Sequence, residues 1–151
     1  MKLAEALAQR ADMSTKLSQL AARIEQNVLV QEGEQPAEDP LALLAEHDRI
    51  ASELRGLILR INTTNLEVGI AGHQNMTDAL AHRDVLRLQV QLRQNVAQRA
   101  SARFDRGTRS ELRYVSVIDV PQVRTEADDL SAQLRELDTR IQEANWLNDL
   151  R

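Results

Sequence analysis

Apolar residues recur every three or four positions over four separate stretches of the chain, with polar and turn-forming residues between them. The cleanest stretch is Asp119–Trp146, where Val123, Ala127, Leu130, Leu134, Leu137, Ile141 and Ala144 alternate spacings of four and three. At 100° per residue they fall within a sector of roughly 100°, which predicts a long amphipathic helix with a single seam. Asp119 stands where an N-cap belongs, Pro121 lies in the first turn, and Gln122 follows three residues after the cap. Glu126, Asp128 and Asp129 suit the positive end of the helix dipole.

A first helix is expected from Leu3 to about Asn27, its seam formed by Leu3, Ala6, Leu7, Met13, Leu17, Leu20, Ile24 and Val28. Asp39-Pro40 starts a second helix, with the cap followed by proline at the first helical position. Leu44, His47, Ala51, Leu54, Ile58 and Ile61 mark its seam, with Ile50 and Leu57 beside it. Its expected stop is Asn62-Thr63-Thr64-Asn65, where short polar side chains compete for backbone hydrogen bonds. Thr77 is the expected cap of a third helix reaching about Phe104. This helix has two apolar stripes: Val85, Leu88, Leu92 and Val96 on one side, and Leu86, Val90, Ala97 and Phe104 on another. A helix apolar on two sides is buried from two sides, so it is central to the bundle or also meets a second subunit.

The connections are less regular. Gln31–Pro40 carries Gly33, Pro36 and four acids and predicts a solvated link, Leu66–Met76 a loop or short strand, and Asp105–Ser110 a turn. Val28–Val30 and Leu112–Val120 are β-branched and extended in character. Antiparallel helices would bring these two segments to one end. The expected fold is therefore mainly α: an antiparallel four-helix bundle of long helices with a small two-stranded β-ribbon at one end, residues 1–151 forming a single helical domain.

Only Phe104, Tyr114 and Trp146 are aromatic, so a core must come from Leu, Ile, Val and Ala, as in helix bundles. The absence of cysteine excludes disulfides and thiolate chemistry. No apolar run approaches the roughly 20 residues of a membrane span. The opening residues have an acid and no signal-like apolar core, and a cytoplasmic location is expected.

Candidate chemistry is sparse. Metal sites in helix bundles use Glu-x-x-His, and the residues three before His47, His73 and His82 are Leu44, Ile70 and Ala79. His47 suits a core or interface position, while His73 and His82 suit solvated ones; a metal site would require ligands pooled between subunits. The glycines are scattered and form no phosphate loop. No cofactor, small-molecule ligand or catalytic set is implied, and the expectation is a non-enzymatic protein.

The net charge of −4 gives no global drive toward nucleic acid. Locally, Glu32–Glu53 holds seven acids against Arg49, and Arg83–Arg113 holds eight arginines against Asp84, Asp105 and Glu111. The arginines of 99–113 make nucleic-acid binding an alternative. Those of the third helix do not form one stripe, and no exposed aromatic series accompanies them, so internal pairing or contacts between subunits fit better.

Several phrases together resemble the septicolysin-like family of small bacterial proteins. They are Met1–Leu7, Gln31–Pro40, Ile61–Asn65, Thr77–Ala81 with Arg83-Asp84, Tyr114–Ser116, Leu137-Asp138, Ile141–Glu143 and Asn145-Trp146. The resemblance implies a helical, oligomeric protein and transfers no catalytic residues. The label suggests a membrane-acting cytolysin as a further alternative, but the chain has no hairpin long enough to span a bilayer as paired strands. The leading expectation is a homo-oligomer assembled through the third helix and the extended segments. Asn62, Asn65, Arg83, Asp84, Leu86, Val90, Phe104 and Tyr114 are the candidate interface or ligand-contact residues.

Overall fold

Four long helices, and no strand among the described residues, account for the computed structural model, which describes residues 1–102 and 114–151. In order they are α1 (Leu3–Asn27), α2 (Pro40–Glu67), α3 (Met76–Ser101) and α4 (Val120–Leu147). Met1–Val68 with Gln142–Arg151 form one compact unit, and Gly69–Ile141 form a second.

In the first unit α1 packs on α2, and their ion pairs give the direction. Lys16 Nζ meets Glu46 at 3.0 Å, whereas Arg23, further along α1, meets the earlier residue Glu38 through its Nε at 2.9 Å. The two helices are therefore antiparallel. Leu20, Leu43 and Ile50 form the buried cluster between them, with Met13, Leu17 and Ile24 packed on it. Asn27 closes this end by donating to the Arg23 carbonyl and accepting the Glu38 N–H at 3.0 Å. The link between the helices turns at Gln31–Glu34, where the Glu34 N–H returns to the Gln31 carbonyl and Gly33 takes φ +90°. That is the third position of a type II turn, where glycine avoids a Cβ clash. Asp39 caps α2 through the Leu41 N–H, with Pro40 behind it.

The buried line of α2 is Leu43, Ile50, Leu57, Ile61 and Thr64, turned from the expected seam; Leu44 is exposed and His47, Leu54 and Ile58 are half-buried. The helix also runs through Asn62–Asn65 instead of stopping there. The continuation has a local cause. The Thr63 and Thr64 hydroxyls donate to the carbonyls of Leu59 and Arg60, one turn back, so they ride on the helix rather than breaking it. Thr64 consequently serves as an inward position, seven residues after Leu57, in a series that apolar residues alone do not reveal.

The last residues of the sequence pack against this unit. Leu3 N–H donates to the Asn148 carbonyl, Leu150 N–H to the Met1 carbonyl, and Lys2 Nζ lies 3.2 Å from Asp149. Arg151 Nε pairs with Glu67 at 2.8 Å. Leu3, Ala6, Ile61, Ala144 and Leu150 are buried here.

In the second unit, Asn75 caps α3 by accepting the Asp78 N–H, and Asp78 returns the bond by accepting the Gln74 N–H. Thr77 therefore lies inside the first turn, not at the cap. The three-residue spacing from Asn75 to Asp78 lets each side chain reach the other's end of the turn. Arg87 reaches Asp138 and Arg93 reaches Glu126, so α3 and this part of α4 run antiparallel. Asp119 caps α4 through the Gln122 N–H at 3.1 Å, as its sequence position suggests.

Among the described residues the expected ribbon is not formed. Val28–Val30 and residues 114–119 adopt no strand pairing, and the two isolated bridges join Lys2 to Asp149 and Ile70 to His73. β-branched composition alone does not supply the paired partner a two-stranded ribbon needs. The end of the third helix at Phe104, the turn 105–110 and residues 112–113 of the expected strand lie outside the described residues.

Candidate functional site

α3 concentrates the features that fold and charge leave unexplained. Met76, Ala79, Leu86, Val90 and Ala97 are buried. They define an inward face, so Leu86 and Val90 belong to the chain's own interior rather than to a free stripe. The other stripe faces out. Val85 is 49% exposed, Leu88 71% and Leu92 60%, with Val96 half-buried. At 100° per residue this stripe lies roughly 150° round the helix from the buried face. The assignment of the two stripes is thus the reverse of the expected one. Both carry similar apolar residues, and the sequence has no marker for which of them α4 covers.

The exposed stripe continues onto an extended segment. Asn95, Val96, Arg99 and Ala100 line one side of an open groove, and Val115, Ser116, Val117 and Ile118 the other. Val115 and Val117 are exposed, as is Tyr114 just before them. Val85 through Val96 and Val115 through Ile118 therefore make an apolar surface that leaves the strand expectation wrong but its segment conspicuous.

Charged groups flank α3. Arg83 lies 3.1 Å from Asp84 and 3.9 Å from Asp138, and Arg87 lies 3.6 Å from Asp84 and 3.5 Å from Asp138. Two guanidinium groups and two carboxylates share one network, so its net charge is zero. Further along, Arg93 Nε donates to Glu126 at 3.0 Å. That hydrogen bond, joined by one from Gln122, holds the Glu126 carboxyl below the usual carboxylate range. The three arginines that open the basic run are therefore paired within the unit, which weakens a phosphate-tracking surface. Arg103, Arg106, Arg109, Arg113 and Phe104 lie outside the described residues.

Asn62 is exposed and Asn65 half-buried near the end of α2. Among the described residues no three His, Cys, Asp or Glu side chains group as a metal cage, and no helix is long and apolar enough to cross a membrane.

Residues 10–150 match a family of unknown function, DUF6847. The chain belongs to this family. A protein from Corynebacterium diphtheriae, whose crystal structure is described as that of a functionally unknown conserved protein, is 37% identical. That similarity covers 100% of this chain and 99% of the other, with a TM-score of 0.94. Comparison with curated proteins gives no match. What DUF6847 contributes is thus a shared fold, with no activity to transfer.

Proposed function

We propose that this DUF6847 protein is a non-enzymatic helical protein that assembles with copies of itself through α3 and the extended segment after it. In this reading the four helices form an antiparallel bundle, and the homo-oligomer is cytoplasmic. Kinship with septicolysin-like proteins is part of the same proposal and rests on the sequence phrases quoted above. The observation that carries it is the exposure of Val85, Leu88 and Leu92 opposite the buried face of α3. Three large aliphatic side chains at i, i+3 and i+7 present a continuous stripe, the spacing through which one helix packs on another.

The extent of the surface supports a second copy as the partner. A stable interface covers about 800 Å² on each side, more than one three-residue stripe supplies. The groove between Val96 and Val115–Ile118 extends the apolar area beside it. Paired ions on the flanks leave no strong charge to oppose two identical surfaces meeting about a two-fold axis. Light scattering at micromolar concentration should give a mass above that of one chain; a monomer would refute the proposal.

A further inference from the structure

We propose that His73 and His82 form a two-imidazole Zn²⁺ site, independent of the self-association proposed above. The turn Ile70–His73 positions the first ring. His73 N–H donates to the Ile70 carbonyl at 2.9 Å, and Gly72 has φ +82°. This type II geometry needs a residue tolerant of positive φ at its third position. It sets the His73 side chain beside His82, in the second turn of α3. His73 Nε2 is 2.9 Å from His82 Nδ1.

The surroundings of the other nitrogen of His73 favour one tautomer. His73 Nδ1 lies 3.4 Å from the Ala71 carbonyl, and Arg140 Nη1 donates to that same oxygen. A carbonyl only accepts, so the tautomer with the proton on Nδ1 is the one that satisfies this contact, and it leaves a lone pair on Nε2. A ligating imidazole whose second nitrogen is held by a backbone carbonyl is the usual outer-shell arrangement of metal-bound histidine. Without metal, the proton on His82 Nδ1 occupies the space between the rings as a hydrogen bond. Zn²⁺ would bind the other neutral tautomer of His82, its proton moved from Nδ1 to Nε2, so that both ligands are neutral imidazoles and no net proton is released.

The spacing accommodates the exchange. The ring centres are 5.2 Å apart. With Zn–N bonds of about 2.0–2.1 Å and a tetrahedral angle, two ligating nitrogens are separated by about 3.4 Å. Opening the pair from 2.9 Å to that separation takes about 0.5 Å, supplied by rotation about the side-chain bonds that carry the rings. His82 is exposed and His73 only half-buried, so neither ring is locked against that rotation. No third side-chain ligand joins them among the described residues, which leaves water in the remaining positions. Such an ion would tie the Ile70–His73 turn to α3.

Calorimetric titration of Zn²⁺ alone into the tag-free, chelator-treated full chain tests this site. The expected result is saturation at about one Zn²⁺ per chain. It should be lost in both His73→Ala and His82→Ala and retained in His47→Ala. Zn²⁺ should also slow amide hydrogen exchange across residues 71–75 in the wild-type chain but not in either variant. Absence of saturable binding, or binding that survives both substitutions, would overturn the assignment.

Discussion

The main-chain N–H of Arg151 donates to the Thr64 hydroxyl at 3.1 Å, while that hydroxyl donates to the Arg60 carbonyl at 2.9 Å. Thr64 is 1% exposed, so one buried oxygen joins the last residue of the sequence to the end of α2 with both of its roles filled. Arg60 Nε completes the link by donating to the Arg151 carbonyl at 2.7 Å.

Thr64→Val keeps the shape of the side chain and removes the oxygen. It should lower unfolding free energy by about 1 kcal/mol, because the part-buried Arg151 N–H loses its acceptor. Thr64→Ser, which keeps the hydroxyl, should lose less. Urea denaturation followed by circular dichroism separates the two; equal losses would mean that packing of the methyl group, not the hydrogen bond, sets the effect.

Gly33 and Gly72 both occupy positive φ at the third position of a turn, and neither would meet another atom with an added Cβ. Their substitution by alanine therefore introduces backbone strain without steric crowding, at a cost of about 1–2 kcal/mol each. Gly56, helical and also uncrowded, should respond in the opposite direction: Gly56→Ala should stabilise by about 0.5–1 kcal/mol. Thermal melts of the three variants compare the two backbone settings directly.

Glu126 gives a prediction with a definite pH sign. Its carboxyl is held low by the hydrogen bond from Arg93, with help from Gln122. The folded state therefore favours the charged form more than the unfolded chain does. The stability this provides is present above the ordinary carboxylate value and is lost as pH falls through the lower folded value. Glu126→Gln should be less stable than wild type at neutral pH, and the two melting temperatures should converge in acid. A gap that persists unchanged at low pH would contradict the Arg93 pairing.

Much of the helical layout is readable from the chain. Asp39-Pro40 and Asp119 identify two starts because a cap acts on its own helix and needs no distant partner. The α4 seam is equally local: Ala127, Leu137, Ile141 and Ala144 are buried where its period places them. Errors arise where tertiary context decides. Thr64 is polar by type and buried because Arg151 reaches it, and Asn75 outranks Thr77 because Asp78 returns its bond. Leu86 and Leu88 are the same residue two positions apart, yet one is buried and the other exposed. The His73–His82 pair was hidden for a related reason: its spacing fits no helical metal motif, since a turn rather than a helix supplies the first ring. Asx spacing around residue 75 and the glycine at 72 were the signals available for that turn.

Self-assembly through the outer stripe of α3 is tested by sedimentation equilibrium on wild type and a Leu88→Arg, Leu92→Arg double variant. Both positions are exposed, so the substitutions should leave helicity nearly unchanged. Two buried guanidinium groups per copy would be uncompensated at an interface. Wild type should be oligomeric, and the variant monomeric and folded. A wild type that is already monomeric, or a variant that keeps the wild-type mass, would contradict assembly through this stripe.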